Sequence, residues 1–482
     1  MPNIVPIRPR FHVTVLSETE VEAIQSATLD ILDRVGVCFP SDRALGVFAE
    51  HGARVDAERQ VVKLHPELVS EAMRHVPRSY LLGGRATEAD LLIDGQTSHM
   101  ATDGCGVEAI DLETGQRRPS CKADVAAMAR VADHLSSVAF YWPMVSAQDY
   151  GKTAPLHELD ASFNNTLKHV QTETAMGERP ARFAVHMGEV IAGSREALRA
   201  RPPFSVLICT IAPLAQDKEG IEAGMVYADA GIPVGFMAMP NMGATAPATP
   251  GGALVLGNAE VVSAMVLMQL VAPGAPVFHS ILASVMDPHT AEYVVSIPQK
   301  YLCNAASVQL AHDWGVPSLA GAFGLDAKEP GSWQKGRDDV YNSLLVPMAG
   351  ADLITGCGLL EASTLLVPEQ IIMDDEVYHI NRVLLEGIDT DLDSLALDVI
   401  AEVGPRGHFL AHKHTRRHLR AIWMPSLTHP RLAEDLRPPP GLRERARETL
   451  RRILKAHWPE PLEEAAQAEL RAILDAAGQA LN

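Results

Sequence analysis

The chain has 482 residues, 47% hydrophobic and 21% charged, which leaves room for one large globular domain with appendages or for three small ones. Its 41 Lys+Arg against 60 Asp+Glu give a formal charge of −19, a surface that repels phosphate backbones and anionic lipid, so neither nucleic acid nor a membrane is expected as a partner. The six cysteines, Cys38, Cys105, Cys121, Cys209, Cys303 and Cys357, form no close pair, which argues for a reducing, cytoplasmic location and against a disulfide scaffold or a CxxC zinc site.

The opening MPNIVPIRPRFHV has no continuous apolar core and no small-residue cleavage site, so no secretory leader is expected. Residues 1–96 read as a helical and hairpin preface. Ser17-Glu18-Thr19-Glu20 has the form of a capping box, and the run behind it sets Val21, Ile24, Ala27, Ile31 and Val35 on one helical face, with Gly36 as the stop. Short helices are predicted near 41–51 and 66–75, with a hairpin over ARVDAERQVVKL between them.

Residues 97–390 then repeat one pattern. Short apolar runs at 98–104, 138–144, 168–174, 204–210, 232–238, 276–282, 317–323 and 351–357 alternate with helical stretches such as KADVAAMARVADHL, DKEGIEAGMVYADAG and GNAEVVSAMVLMQLVAPG. Eight strand–helix repeats predict a closed parallel TIM (β/α)8 barrel; an open doubly wound sheet would want a GxGxxG turn, and GCG at 104–106 lacks that spacing. The longest apolar stretch, Ala253 to Val277, is interrupted by Asn258, Glu260 and Gln269 and predicts a buried helix, not a membrane span. Residues 391–482 form a C-terminal helical extension with a Pro438-Pro439-Pro440 spacer. Between 405 and 455 it carries thirteen Lys/Arg and four Asp/Glu, as for a solvated face or one docked on an acidic barrel.

In such a barrel the functional groups stand at the C-terminal strand ends. Those positions hold Asp103, Cys105, Tyr141, Trp142, Glu173, Cys209, Asn241, His279, Phe323, Asp326, Lys328, Trp333, Thr355 and Glu361. They include no nucleophile elbow and no SxxK. No HxC zinc pair stands at a strand end, and His408, His412, His414 and His418 lie among basic residues, so they are expected at the surface or in packing, with no bound metal.

The loop MPNMGATAPATPGG before the apolar helix, VPSLAGAFGLDAKEPGSWQKG at 316–336, ADLITGCGLLEASTLLVPEQIIMDDE at 351–376 and GHFLAHKHTRRHLRAIWMPSL at 407–427 carry a resemblance. Together they resemble the signatures of the trimethylamine methyltransferase (MttB-like) superfamily of corrinoid-dependent methyltransferases, over nearly the whole chain. The resemblance implies a TIM barrel that moves a methyl group from a methylated amine to the Co(I) of a separate corrinoid protein, with a homo-oligomeric assembly expected. The trimethylamine enzymes of that superfamily carry pyrrolysine, whereas this sequence has only the standard residues. A quaternary ammonium needs no such activation, because it is already cationic and leaves as a neutral amine; a betaine is therefore the expected donor.

On that reading Asp103, Glu173, Asp326 and Glu361 are the candidate catalytic or charge-balancing carboxylates. Tyr141, Trp142, Phe323 and Trp333 are candidate rings for the cation, Thr355 a polar contact and Lys328 an anchor for a donor carboxylate. Asn241, Gly243 and Thr245 are candidates for contact with the corrinoid. Two alternatives stand beside it: a paralogue that has lost catalysis and binds a ligand or partner, and a barrel lyase using Lys328 as an amine.

Overall fold

The computed structural model describes residues 3–104, 106–429 and 439–481. Cys105 at the first strand tip and Pro438 of the proline spacer lie outside the described residues. Helix α1 (Glu18–Arg34) opens with the anticipated capping box. The Glu20 amide donates to Ser17 Oγ at 3.4 Å, and the Ser17 amide donates to the Glu20 carboxylate at 2.8 Å. Gly36, at φ +84°, ends it; a Cβ there would lie 2.5 Å from the Val62 carbonyl. The buried face is Val21, Gln25, Thr28 and Leu32, shifted from the apolar stripe, and Val35 is half exposed. The shift has a polar cause: Asn258 Nδ2 donates to Gln25 Oε1 and Thr28 Oγ1 at 2.8 and 2.9 Å, so these side chains enter the interior satisfied. The helices Asp42–Glu50 and Pro66–Met73 and the antiparallel pair Arg54–Asp56 and Val61–Lys63 follow as expected.

Eight parallel strands then close into a ring. They are β1 (His99–Thr102), β2 (Val138–Tyr141), β3 (His169–Thr172), β4 (Phe204–Ile211), β5 (Val234–Ala238), β6 (Val277–Ile281), β7 (Leu319–Gly321) and β8 (Leu353–Cys357). Parallel ladders join them in sequence order, and β8 pairs back onto β1. The β6–β7 seam is a parallel bridge between His279 and Ser318, supported by the His279 amide donating to the Pro317 carbonyl at 2.9 Å. Seven of the eight apolar runs contain one of these strands, and the eighth, 204–210, falls one residue short of the end of β4.

A helix follows every strand: α2 (Lys122–His134), α3 (Ala154–Asn165), α4 (Glu178–Ala192), α5 (Lys218–Ala230), α6 (Pro250–Val271), α7 (Pro298–Asp313), α8 (Trp333–Met348) and α9 (Gln370–Glu386). Helix α6 is long and apolar enough to cross a membrane, yet 78% of its apolar window is buried inside the protein, against α1, β5 and β6. Its polar residues are satisfied there. Glu260 accepts from Thr210 and the Leu214 amide, and Gln269 bonds Ala275 and Gly274.

The C-terminal part begins with three short helices, Leu392–Leu395, Leu397–Val403 and Lys413–His418, none of which buries a residue. Helix α10 (Leu442–Ala456) lies on α2 and α9, where Arg443 and Arg447 reach buried Glu369 at 2.6 and 3.0 Å and Arg451 meets Glu113. This arginine-rich helix is thus docked on acidic groups of the barrel. Helix α11 (Glu464–Leu481) packs on α4. Neither contributes a residue to the cavities at the barrel's C-terminal end.

Candidate active site

Side chains alternate along a strand, so each barrel strand sends every second residue into the lumen. At the C-terminal ends that alternation delivers Asp103, Trp142, Glu173, Cys209, Leu282, Phe323 and Thr355, and both Met237 and Met239 from the β5 end. They bound a chamber of about 210 Å³. Loops complete it: Ala362 and Ser363 come from the segment after β8, and Tyr293 and Val295 from the segment after β6. A wider vestibule of about 640 Å³ lies outside, lined among others by Asp326, Lys328 and Glu361, and it shares Tyr293 and Ala362 with the chamber.

Two carboxyl groups of unequal character face the chamber. Asp103 accepts from Ser363 Oγ at 2.5 Å and from the Gly104 amide; burial still pushes it up to about 6. Glu173 has no hydrogen-bond partner among the described residues, and burial together with the Asp103 charge pushes it up to about 8. At neutral pH the chamber therefore holds one carboxylate and one neutral carboxylic acid. The Cys209 thiol is pushed up by burial and by Glu173, so it lines the wall as a neutral, polarisable group.

The aromatic wall is fixed from behind. A Cβ on Gly104 would lie 2.1 Å from Trp142 Nε1, so the bare glycine makes room for the indole. Lys335 Nζ sits 5.5 Å from the centre of the Phe323 ring, itself held by Asp339 at 2.6 Å and Asp374 at 3.4 Å. Thr355 Oγ1 donates to the Thr102 carbonyl at 2.8 Å, so its hydroxyl proton is already engaged.

Of the residues singled out in the sequence, Asp103, Glu173, Trp142, Phe323 and Thr355 meet in the chamber. Asp326, Lys328 and Glu361 stand in the vestibule instead. Asp326 accepts from the Val295 and Ser296 amides at 3.0 and 2.7 Å and pins the β6 loop, and Glu361 pairs with Arg117 at 3.0 Å. Tyr141 is not brought to the site. It is one residue out of phase with Trp142, faces the helices, and donates its hydroxyl to the Val125 carbonyl at 3.0 Å. Trp333, at the start of α8, is 86% exposed and lines neither cavity.

Asn241, Gly243 and Thr245 form a tight rim turn, with the Asn241 amide on Thr245 Oγ1 at 3.0 Å and Gly243 at φ +90°. This turn lines neither cavity, although its strand Asn241–Met242 belongs to the same small sheet as Tyr293. The histidine-rich segment brings His414 and His418 together with Asp393, an acidic partner from a different helix. All three are at the surface, and Arg417 already pairs with Asp393.

Sequence reasoning missed Tyr293, Ser363 and Leu282 as lining residues. The two-residue period extended past β6 points to Leu282. Ser363 closes the GCGLLEAS motif. Tyr293 has no local signal, because a pairing with Ser284–Met286 brings it over the mouth.

The sequence profile described as "Trimethylamine methyltransferase (MTTB)" matches residues 2–479. The chain is 33% identical over 468 residues to trimethylamine methyltransferase MttB of Desulfitobacterium hafniense (strain DSM 10664 / DCB-2), covering 96% of this chain and 94% of that protein. It is 30% identical over 475 residues to MttB2 of Methanosarcina mazei, covering 97% and 96%. It is also 30% identical over 481 residues to the glycine betaine methyltransferase of Desulfitobacterium hafniense (strain Y51), covering 98% of each. A full-length match to the family profile and relatives at this identity, on a barrel whose strand ends enclose a ring-lined chamber, make the chain a member of the trimethylamine methyltransferase (MTTB) family.

Proposed function

We propose that the chain transfers a methyl group from a quaternary ammonium compound, a betaine, to the Co(I) of a corrinoid held by a separate protein. The observation that carries this reading is the chamber itself: Trp142, Phe323 and Tyr293 supply rings, Asp103 a single carboxylate, and the mouth opens to a vestibule. Each ring face attracts a cation by roughly 0.5–2 kcal/mol, and the apolar lumen excludes the water that would otherwise solvate it. A quaternary nitrogen leaves as a neutral tertiary amine, so the chamber must hold the positive charge without clinging to it. Glu173, kept neutral at physiological pH, avoids a second counter-ion that would favour the bound cation over the charge-dispersing transition state.

The vestibule is about three times the chamber's size, wide enough for a planar group to approach the shared Tyr293–Ala362 border. The docked corrinoid supplies the nucleophile, a reduced cobalt. Trp142, Phe323 and Asp103 orient one N-methyl toward the mouth and hold it there. The same reading sets the enzyme in the cytoplasm. It also takes the exposed Ile388, Leu392 and Leu410 of the C-terminal segment as surface covered when copies of the chain associate, which sedimentation at two concentrations tests.

The decisive assay follows the absorbance of Co(I) cobalamin, free or protein-bound, across a panel of methylated amines. Methylation from a betaine and none from trimethylamine is the expected result. Methylation from trimethylamine alone overturns the proposal. No methylation from any amine in the panel, with ligand binding retained, would favour the non-catalytic paralogue.

A further inference from the structure

Three lysines with 1% exposure, Lys168, Lys300 and Lys335, are buried in the barrel. A buried ammonium is costly unless it is paired and hydrogen-bonded. Two of the three meet that condition. Lys168 Nζ donates to the carbonyls of Ala132, Leu135 and Val138 at 2.8, 2.7 and 2.6 Å, and Lys335 Nζ is held by Asp339 and Asp374. Lys300 does not: among the described residues no oxygen takes a hydrogen bond from its Nζ, which has only the Tyr301 ring, 5.9 Å away, beside it. Asp326, Asp103 and Asp338 act on it only through space, and burial pulls it down to about 8, which leaves it mostly protonated at neutral pH.

Its position explains what the missing partner is. Lys300 stands in the first turn of α7, at the mouth end of the barrel, and reaches β7 so that its Nζ would lie 3.7 Å from a Cβ on Gly321. Gly321 lines the chamber and has no side chain, so at that point only Leu282, whose Cδ1 would lie 2.8 Å from the same Cβ, stands between the lumen and the ammonium. The N-cap of α7 is Ile297, which makes no side-chain cap. A lysine in the first turn also adds positive charge to the positive end of a helix. An uncapped helix start and an unpaired buried ammonium together call for an anion.

We propose that Lys300 is the carboxylate anchor of the chamber. The donor lies with its quaternary head between Trp142 and Asp103 and its carboxylate on the Lys300 ammonium past Gly321. This rests on the donor being a betaine, and it moves the anchoring role from the vestibule residue Lys328 to a residue just behind the chamber wall at Gly321. The substrate class that results is a short zwitterion whose two charges fit two separate points on the wall of one small cavity, distinct from a simple quaternary amine such as choline.

The test compares native enzyme with Lys300→Met and Lys300→Gln, each first checked for a cooperative melt no lower than that of the native enzyme. Titration calorimetry reads binding of glycine betaine, its homologues with two and three methylenes, and 3,3-dimethylbutanoate, the carbon isostere that has the carboxylate but cannot donate a methyl group. Choline is the control without a carboxylate. The expected result is a loss of about ten- to hundredfold in affinity for the carboxylate ligands in both variants, with choline nearly unchanged. Equal affinity for the carboxylates in native enzyme and variants, equal loss for choline, or no saturable carboxylate binding to the native enzyme overturns the anchor. A parallel Co(I) methylation assay separates the two proposals. Binding that depends on Lys300 without methyl transfer from any amine rejects the proposed reaction and keeps the anchor, whereas transfer from a betaine with an unchanged KM in Lys300→Met keeps the reaction and rejects the anchor.

Discussion

Ser363 Oγ donates to Asp103 at 2.5 Å although 260 residues separate the two in the chain. The contact is delivered by a turn in which three successive non-glycine residues, Glu361, Ala362 and Ser363, have φ of +52°, +54° and +67°. Such backbone is strained and persists only where its surroundings hold it. Here the Glu361 and Ala362 amides donate to the Ala327 and Leu325 carbonyls at 3.1 and 2.8 Å, and Glu361 is paired with Arg117. The loops after β7 and β8 are thereby tied together over the chamber mouth, and the carboxylate inside is tuned by the turn above it.

Ser363→Ala removes a hydrogen bond that favours the ionised form of Asp103, so Asp103 titrates above its native value of about 6. Affinity for a quaternary ammonium ligand at pH 6.5 is expected to fall roughly three- to tenfold, and the difference to vanish at pH 9, where both forms are ionised. Calorimetric titration with choline across pH 5.5–9 measures it. Asp103→Asn, lacking the charge altogether, is expected to be weak at every pH.

Glu173 gives the fold a pH dependence whose sign is fixed by burial. Its carboxyl is raised from 4.5 to about 8, so across that window the native state keeps a proton that the unfolded chain has released. The contribution to stability is whole below about 4.5 and is lost as the pH rises through about 8. Glu173→Gln keeps the shape and removes the titration. Its melting temperature is expected to exceed that of the native protein at pH 9, and the two are expected to converge at low pH.

Gly104→Ala sets a methyl group 2.1 Å from Trp142 Nε1, where the indole cannot stay. The side chain must turn out of the wall. A ring displaced by about 1 Å in a site that works by alignment is expected to lower kcat/KM by about a hundredfold. A shift in tryptophan emission with secondary structure unchanged would mark the movement as local.

The two lysines near the chamber predict opposite stability changes. Lys335→Met leaves Asp339 and Asp374 buried without their cation and is expected to destabilise the fold by about 3–5 kcal/mol. Lys300→Met removes a buried ammonium that has no hydrogen-bond acceptor among the described residues, and the ligand-free protein is expected to gain about 1–3 kcal/mol. Urea unfolding at pH 7 compares the two directly.

The barrel was legible because its eight strands are short apolar runs between turn residues and each is answered by a helix. Periodicity also bore on the site, since residues two apart at the ends of β5 and β7, Met237 with Met239 and Gly321 with Phe323, line the chamber together. Tyr141 shows how narrow that signal is: one step along β2 separates a ring on the helix side from Trp142 in the lumen. Polar residues were harder to place. Gln25 and Thr28 enter the interior because Asn258, over two hundred residues away, satisfies them. Lys300 gave no sign at all, since a lysine in a first helical turn reads as solvated until its Nζ is seen behind a glycine on a neighbouring strand. Tyr293 and Ser363 likewise depend on loop pairings that no local pattern announces.

Tyr293 and Ala362 border both cavities, and in the proposed reaction this common threshold imposes a queue on turnover. A macromolecule seated in the outer space covers the way into the inner one. The small donor then has to enter before its acceptor arrives, and the spent amine waits behind that acceptor until it departs. Excess acceptor is therefore expected to slow the steady state rather than saturate it, a kinetic signature set by the shape of one shared doorway.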